Sequence, residues 1–276
     1  METKQLNGKA IYSPKGKAGE YAKYACNFYV GCSNNCDYCY CKRGVLGHSM
    51  GKPQATLKKC FKDEDDALKT FAKELDKNIV ELQRHGLFFT FTSDPMIEEC
   101  RELTIDAISF AVKSGVSCKI LTKRADFIDY LPCEWSINEW YRSRIAFGFT
   151  LTGHDELERG ASTNAERIEC MRKLHDIGFK TFASIEPIID LQSSANMIWQ
   201  TLGFCDLYKI GLMSGKRNYT PFDLMEFIID TNQVIKDNHS KVYWKDSVLD
   251  YIHMPREECL KHASGFIVGA DYDLFV

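Results

Sequence analysis

The sequence predicts an α/β fold, a partial (β/α)6 TIM-like barrel with parallel strands and extra C-terminal strands. Short apolar runs alternate with longer amphipathic segments along most of the 276 residues. Strands that are apolar on both faces are typical of a parallel sheet covered by helices. Six such units follow one another, and right-handed crossovers would roll them into a barrel. An open doubly wound sheet is the alternative, and it also places function at the carboxyl ends of the strands.

The first half of the chain alternates strands with helices. The segment 63–85 has apolar residues on one stripe, acidic residues in its first turn and Gly86 after its end, which together predict one long helix. Gly115 ends the next helix and Pro132 follows a short one. Apolar, β-prone runs predict the strands. The predicted elements are strands 27–30, 87–92 and 117–122 and helices 63–85, 99–113 and 124–130.

The second half continues the alternation. Thr163 and Glu166 form a capping-box pattern, and Gly178 ends the helix that this box opens. Pro221 suits the first turn of a later helix. The predicted elements are strands 145–150, 179–185 and 206–210, helices 163–177, 192–202 and 221–238, and final short strands 241–244 and 265–268.

The composition is that of an ordinary globular protein, with 45% hydrophobic residues, 26% charged residues and a formal net charge of −3. We expect a single domain over 1–276, with a core at about 24–245 and a C-terminal extension over 246–276. No apolar run approaches the length of a membrane helix, and the N-terminus has no signal-peptide core, so we expect a cytoplasmic protein without a membrane partner. The acidic balance argues against duplex DNA as a partner.

Cysteine is abundant, with twelve residues in the chain. Most cysteines are isolated and are expected to be small buried hydrophobes. The exception is the run Cys32-Ser33-Asn34-Asn35-Cys36-Asp37-Tyr38-Cys39, which has the spacing C-x-x-x-C-x-x-C. Three thiolates this close favour one soft metal centre.

Two metal centres fit this spacing. A [4Fe–4S] cluster held by Cys32, Cys36 and Cys39 would keep one iron without a protein ligand, and that iron could bind a small molecule. A structural zinc site needs four ligands and would have to recruit Cys41 or Cys26. Cys41 is interpreted as a thiol beside the cluster or in the core.

The cysteine spacing, its position after a first strand and the aromatic Tyr38 resemble the radical S-adenosylmethionine (radical SAM) superfamily. Further motifs at strand ends resemble its spore photoproduct lyase-like group. They are Gly19-Glu20-Tyr21-Ala22, Asn27, Thr92-Ser93-Asp94-Pro95, Leu121-Thr122-Lys123, Phe149-Thr150-Leu151-Thr152 and Ile185-Glu186-Pro187-Ile188. The resemblance implies a [4Fe–4S] cluster whose open iron binds SAM, an external electron donor of flavodoxin or ferredoxin type, and hydrogen abstraction from a substrate.

Chemical type suggests roles for several strand-end residues. Ser93 and Asp94 can accept hydrogen bonds from the SAM amino group, and Lys123 can bind its carboxylate. The resemblance adds the hydroxyls of Thr150 and Thr152 and places adenine on the backbone of Tyr38. Turn capping and solvated-surface roles are the alternatives for Ser93, Asp94 and Lys123.

Later strand ends suggest where substrate binds. Glu186 follows an apolar strand and could bind SAM ribose or a substrate amine, although it could also be a turn residue. Lys245 and Asp246 could form a substrate pair at the barrel mouth. Glu186, Asp246 and Lys245 are therefore the candidate catalytic residues. The candidate substrate-binding residues are Glu20, Asn27, Lys209, Lys216 and Arg217, of which the last two could instead belong to a solvated loop.

The resemblance implies a lyase and leaves its substrate open. The chain is similar in size and layout to the short queuine lyases of bacterial queuine salvage, which would make queuosine 5′-phosphate the substrate and queuine the product. The alternatives are a DNA-lesion repair enzyme, a peptide-modifying radical SAM enzyme and a non-catalytic iron–sulfur or zinc module. Peptide-modifying enzymes usually carry further C-terminal cysteines, and here only Cys259 lies in the last seventy residues.

Overall fold

The computed structural model describes residues 4–43, 47–215, 217–261 and 265–275. These residues form two compact units. The first unit comprises the described residues up to Ala146, together with Glu156–Ser162 and Phe275. The second comprises Phe147–Asp155 and the described part of Thr163–Leu274. Whether 1–276 is one domain stays a prediction.

The first unit contains a largely parallel run of strands in the order β1-β2-β5-β6. β1 is antiparallel to β2, whereas β2, β5 and β6 are parallel to one another. A separate antiparallel pair joins β3 to β4. The strands are β1 Ile11–Tyr12, β2 Ala25–Cys26, β3 Tyr29–Val30, β4 Thr56–Leu57, β5 Leu87–Phe89 and β6 Cys118–Thr122.

Helices cover this part of the sheet because their apolar stripes need burial. Phe71 and Leu75 of the second helix are fully buried, as are Ala107 and Ile108 of the fourth. The helices are α1 Gly47–Met50, α2 Glu64–Lys77, α3 Ile79–His85, α4 Glu98–Lys113, α5 Cys133–Ile137 and α6 Glu139–Arg142, with 3-10 turns at Gly16–Glu20, Tyr40–Lys42 and Ile128–Tyr130.

The second unit has the strand order β7-β8-β9-β10, and β8, β9 and β10 are parallel. Its strands are apolar on both faces, with Ile185, Ile210 and Trp244 buried in neighbouring strands. The strands are β7 Ile145–Thr150 (which begins in the first unit), β8 Lys180–Ile188, β9 Leu207–Leu212 and β10 Lys241–Trp244. The helices are α7 Asn164–Ile177, α8 Leu191–Thr201, α9 Pro221–Asp237, α10 Asp246–Tyr251 and α11 Arg256–Lys261.

The predicted α/β fold class is confirmed, since strands alternate with helices along the chain and the strands form a mostly parallel sheet. The predicted capping box is also confirmed: the Thr163 side chain accepts a hydrogen bond from Glu166 N–H, and the Glu166 side chain accepts one from Thr163 N–H. Gly178 ends α7 in the left-handed conformation, with φ at 105°.

Four predicted elements in the first unit were wrong in detail. The strand predicted over 87–92 ends at Phe89. Of the strand predicted over 27–30, only Tyr29–Val30 forms, as β3. The Asn27 side chain bonds to Thr90 and Phe91, and the chain leaves the main sheet there, after β2. The helix predicted over 63–85 is broken at Asn78, which caps α2 with φ −122°. Of the helix predicted over 124–130, only a 3-10 turn forms.

The last predicted strand, over 265–268, is reduced to a bridge between Ile267 and Val242. In contrast, β8 and β9 are longer than predicted, because β8 continues through Pro187 and β9 through Gly211. Among the helices of the described residues, none is both long and apolar enough to span a bilayer.

Candidate functional site

The predicted metal ligands lie in the first unit, on the loop that follows β3. The loop is fixed at its entrance, where Gly31 N–H donates to Thr92 O at 3.1 Å and Cys32 N–H donates to Lys52 O at 3.0 Å. Cys36 is buried, and Cys32 and Cys39 are half-buried. This anchoring holds three thiols on one short loop beside the carboxyl end of β5.

The electrostatic environment differs among the three thiols. Burial and the nearby Asp94 carboxylate raise the pKa of Cys32 to about 12, and burial raises the pKa of Cys36. A hydrogen bond from the Cys41 thiol is the largest of the influences that lower the pKa of Cys39 to about 6. The ammonium of Lys123 lowers the pKa of all three thiols, so one cation faces the whole set.

The donor set fits an iron–sulfur cluster by its chemistry. Within the part of the chain that the structure describes, no three Cys, His, Asp or Glu side chains are placed so that they could hold a metal ion as they stand. The three thiols nonetheless share one loop and one cation, and thiolates are the ligands that iron–sulfur clusters use. A metal would have to displace their protons, which is the usual coupling of metal binding to pKa.

The two alternative fourth ligands for zinc have other partners. The Cys41 thiol is hydrogen-bonded to the Cys39 sulfur, and its own sulfur lies 3.8 Å from the carbonyl oxygen of Phe91. Cys26 is fully buried in β2, where its charged neighbours are Lys58 and Glu74. Cys41 therefore lies beside the cysteine triad, and whether it is a ligand stays a prediction.

Asp94 is the centre of a hydrogen-bond network that joins the cysteine loop to two strand ends. Its Oδ1 accepts from Met96 N–H at 3.0 Å and from the Thr122 hydroxyl at 2.6 Å. Its Oδ2 accepts from Lys123 N–H at 2.7 Å and from the Asn34 amide at 2.7 Å. A carboxylate has about four acceptor positions, so the protein already fills those of Asp94.

The other predicted SAM-binding residues of the first unit are engaged as well. The Ser93 hydroxyl lies 3.4 Å from the Cys100 sulfur. The Tyr38 hydroxyl donates to the buried Glu158, and the Lys123 ammonium lies 5.6 Å from the centre of the Tyr38 ring. Lys123 and Tyr38 thus lie together beside the cysteine loop, and their roles toward SAM stay predictions.

Residues 156–162, which we call the clamp segment, hold the cysteine loop from a distant part of the sequence. Leu157 O accepts from Asp37 N–H at 2.9 Å, and Gly160 N–H donates to Asn34 O at 3.0 Å. The Arg124 guanidinium donates to Gly160 O at 2.6 Å. A Cβ at Gly160 would lie 2.1 Å from Ser33 O, so only glycine allows this contact.

The second unit contains the predicted SAM hydroxyls at the end of β7. Thr150 and Thr152 are both buried. Thr150 O accepts from the buried Arg167 guanidinium at 2.6 Å, and Thr152 N–H donates to Asn164 Oδ1 at 3.0 Å. These bonds fix the backbone at the strand end, and contact with SAM stays a prediction.

Glu186 and Lys245 form an ion pair across the strand ends of the second unit. Lys245 Nζ lies 2.7 Å from Glu186 Oε2, and Lys245 is 1% exposed. Gly211 lies between them in β9, and a Cβ there would come within 2.8 Å of both side chains. The pairing of β8 with β9 also shifts between Ile185 and Ile188, where Glu186 stands.

The predicted pairing of Lys245 with Asp246 differs from the contacts found. Lys245 binds Glu186, whereas Asp246 begins α10 and binds the Arg256 guanidinium. Lys209 is buried, and its ammonium lies 5.3 Å from the centre of the Tyr243 ring. Lys209 and Gly211 are two residues apart in β9 and therefore share a face of that strand. The Glu186–Lys245 pair packs over Gly211, so Lys209 lies on the same face as the ion pair.

The remaining substrate-binding candidates are dispersed. Arg217 stacks over the Tyr251 ring at 4.6 Å, and Lys216 lies outside the described residues. Glu20 is buried at the end of a 3-10 turn. Asn27 donates to the Tyr12 hydroxyl at 2.7 Å and accepts from Phe91 N–H, so its amide links three segments of the first unit.

Sequence reasoning missed Asn34, Glu158, Gly160 and Gly211. Asn34 stands inside the cysteine motif, where a polar residue that can cap a turn was the available signal. The clamp segment offered none, because its contacts with the cysteine loop join residues more than a hundred positions apart. The predicted strand 206–210 ends before Gly211, whereas β9 contains this residue. A glycine inside a strand often marks the close approach of another group, which was the available signal.

No protein-family model matches the chain. An uncharacterised protein of Methanocaldococcus jannaschii, MJ0683, is 26% identical over 216 residues, which are 75% of this chain and 76% of that protein. SuiB of Streptococcus suis bound to S-adenosylmethionine has a TM-score of 0.51 at 10% identity, over 79% of this chain and 48% of SuiB. SuiB bound to its precursor peptide SuiA has a TM-score of 0.50 at 10% identity, over 76% of this chain and 45% of SuiB.

The chain therefore spans about half the length of the SuiB chain that it matches. At 10% identity the likeness to SuiB is one of fold. The parallel α/β architecture predicted from the sequence is thus one that also occurs in a protein able to bind S-adenosylmethionine.

Proposed function

We propose that the protein is a radical SAM enzyme in which Cys32, Cys36 and Cys39 hold a [4Fe–4S] cluster. The observation that carries the proposal is the cysteine loop of the first unit. It presents three thiols under the positive charge of Lys123, with Asp94 tying it to two strand ends. The motif resemblance and the shared fold with SAM-bound SuiB add support.

A cluster held by Cys32, Cys36 and Cys39 would supply one-electron reductive chemistry toward bound SAM. The chain supplies orientation and protection from water. Lys123 offers a cation for the SAM carboxylate, and the backbone of Tyr38 offers hydrogen-bonding groups for adenine. Asp94 and the clamp segment keep the cysteine loop in place. Because the loop is already ordered, less binding free energy is lost in ordering it when a ligand binds. Electrons would come from a flavodoxin- or ferredoxin-type donor in the cytoplasm.

We further propose a lyase acting on a small anionic, nucleotide-like substrate, with queuosine 5′-phosphate as the candidate. Support comes from the strand ends of the second unit. Lys209 and Lys245 are both buried there, and no described Asp or Glu of that unit is as deeply buried. Two buried cations beside the partly exposed Glu186 would attract an anionic group, because charges interact more strongly away from water. Glu186 would then face the substrate's amine.

A peptide is the second candidate substrate. SuiB shares the fold and binds a precursor peptide, SuiA. A DNA lesion is less favoured because the net charge is −3, and a non-catalytic iron–sulfur or zinc module is the remaining alternative. These candidates differ in what they do with SAM and in which compound gains or loses hydrogen.

The first experiment tests SAM cleavage. Anaerobically purified protein, reconstituted with iron and sulfide and supplied with dithionite and SAM, should form 5′-deoxyadenosine. The Cys39→Ala protein, treated in parallel, should contain little cluster and form none. Purified protein that contains zinc in place of iron, or a full cluster that forms no 5′-deoxyadenosine, would reject the proposed radical SAM activity.

The second experiment tests the substrate. Queuosine 5′-phosphate, ultraviolet-damaged DNA and a peptide mixture are incubated separately with the enzyme and SAM. Release of queuine that depends on SAM supports the nucleotide lyase. Turnover of DNA or peptide alone would contradict it while leaving the radical SAM proposal standing.

A further inference from the structure

The side-chain oxygen of Asn34 is a buried acceptor without a hydrogen-bond partner. Asn34 is 2% exposed, and its Oδ1 is one of the buried polar atoms to which the described residues donate nothing. Buried side-chain polar atoms are nearly always hydrogen-bonded, so an exception needs an explanation such as a missing ligand. The explanation matters here because Asn34 stands between Cys32 and Cys36.

The orientation of this amide follows from its neighbour. Asn34 Nδ2 lies 2.7 Å from Asp94 Oδ2. A carboxylate oxygen accepts hydrogen bonds, so the NH₂ group must face Asp94 and the oxygen must face away. Reversing the amide would set two acceptors against each other. The unpartnered atom is therefore an acceptor, and it requires a donor.

The backbone of Asn34 lies beside two of the cysteines. Its N–H is hydrogen-bonded to the Cys32 thiol, and its carbonyl oxygen lies 4.0 Å from the Cys36 sulfur. The same carbonyl accepts from Gly160 N–H of the clamp segment. Asn34 is thus held at its backbone and through its NH₂ group, and its side-chain oxygen is the part left for a ligand.

Asp94, the acceptor expected from the sequence, lacks this capacity. Both of its oxygens already accept two hydrogen bonds each, from Met96, Thr122, Lys123 and Asn34. A ligand donor at Asp94 would have to displace one of these bonds. A donor at Asn34 Oδ1 would displace none, so the network makes Asp94 a positioning residue for Asn34.

We propose that Asn34 Oδ1 accepts a hydrogen bond from the amino group of SAM bound at the cysteine loop. The proposal rests on the function proposed above. It fits the chemistry of the ligand, since the SAM amino group has N–H donors, and it gives the buried oxygen the partner that the protein does not supply.

The test measures SAM binding on reconstituted protein by equilibrium dialysis. Asn34→Ala is compared with Thr122→Val, which also removes one bond to Asp94 but leaves Asn34 intact. Iron and sulfide content should match wild type in both. We expect Asn34→Ala to raise the Kd for SAM about 10-fold or more, as loss of a bond to a polar ligand does, and Thr122→Val to change it less than about 2-fold.

Equal Kd values for Asn34→Ala and Thr122→Val, at matched iron content, would overturn the inference and leave the radical SAM proposal intact. A wild-type protein that binds iron but no SAM would overturn both. If Asn34→Ala fails to bind iron, wild-type protein with ¹³C at the asparagine side-chain carbonyl decides. SAM should shift an asparagine resonance that an analogue without the amino group does not shift, and identical spectra with the two ligands would refute the proposal.

Discussion

Cys41 is hydrogen-bonded to Cys39, two positions before it, and its sulfur lies 3.8 Å from the carbonyl oxygen of Phe91. A thiol in this position lowers the pKa of its neighbour by hydrogen bonding, and the sequence interpretation is that it is not itself a ligand. We therefore expect Cys41→Ala to retain iron and sulfide close to the wild-type content and to remain brown after reconstitution. Iron analysis beside Cys32→Ala, which should lose the cluster, checks this. Equal loss of iron in both variants would make Cys41 a ligand.

Lys245 and Glu186 provide a second test at the level of single residues. Replacing Lys245 with Met leaves the Glu186 carboxylate without its close partner, and breaking a largely buried ion pair costs about 3 kcal/mol of unfolding free energy. The double variant Glu186→Gln/Lys245→Met should recover most of this loss, because it leaves no uncompensated charge. Urea denaturation of wild type, the single variants Lys245→Met and Glu186→Gln, and the double variant measures the coupling. Additive losses would show that the pair is not energetically coupled.

The cysteine triad was the most predictable part of the candidate site, since three cysteines at fixed spacing restrict the chemistry to a few centres, and its role as a ligand set stays a prediction. The partners of Asp94 were not predictable. The motif Ser93-Asp94-Pro95 is compatible with both ligand binding and turn capping, and only the positions of Asn34 and Thr122 decide how many acceptor sites are filled. Whether Asp94 has an acceptor position left for a ligand can be read only from the hydrogen bonds that it makes in the structure.

Among the elements, the clamp segment depends on one close backbone approach. A methyl group at Gly160 would meet Ser33 O at 2.1 Å, whereas one at Gly19 would meet Pro14 O at an ordinary 3.4 Å. We expect Gly160→Ala to shift the clamp away from the cysteine loop, lower iron retention and increase cleavage of the loop by added protease. Gly19→Ala is the matched control and should behave as wild type. Unchanged protease sensitivity in Gly160→Ala would contradict the clamp.

The first turn of α8 is sensitive to pH. Burial raises the pKa of Asp190, but hydrogen bonds from Ser193 N–H and His154 outweigh it, and the pKa lies below its usual value. A carboxyl with a depressed folded-state pKa stabilises the protein above its unfolded-state pKa, about 4, and loses that contribution as pH falls through the folded value. Asp190→Ala should therefore cost about 1 kcal/mol at pH 7 and less below pH 4. A loss that is the same at both pH values would exclude the ionised cap.

Helices with strong terminal signals were predicted almost to the residue, as α7 shows between its capping box and Gly178. The failures lie where a local signal competes with a distant contact. Asn78 ends α2 although the apolar stripe continues into α3, and Asn27 draws the chain out of the sheet toward Phe91. Neither event is visible in periodicity, because each is decided by a side chain bonding to the backbone.

For the whole molecule, ligand binding and stability are linked. A ligand that binds only the folded protein stabilises it by about 2.7 kcal/mol at a free concentration 100 times its Kd. SAM at that excess should therefore raise the Tm of reconstituted wild-type protein by several degrees in an anaerobic thermal scan. Reconstituted Cys39→Ala protein, lacking the cluster, should show a much smaller change. An equal change in both would mean that SAM binds elsewhere.

The fold class was predictable from alternation alone, because continuous apolar strands between amphipathic helices have few alternatives to a covered parallel sheet. The substrate was not, since it depends on which side chains the strand ends present. Glu186 lies in β8, Lys209 and Gly211 lie in β9, and Lys245 directly follows β10. Strand order brings these residues to one edge. The ion pair over Gly211 lies where the register between β8 and β9 shifts, and no sequence pattern predicts that shift.

The position of the clamp segment in the chain has a consequence for biosynthesis. Residues 156–162 belong to the first unit although they follow its other strands and helices in the sequence. A nascent polypeptide that ends before them has all three thiols but lacks the Leu157 and Gly160 contacts that hold their loop. If the loop holds the proposed cluster, we expect iron and sulfide to be retained only after Ser162 has been synthesised.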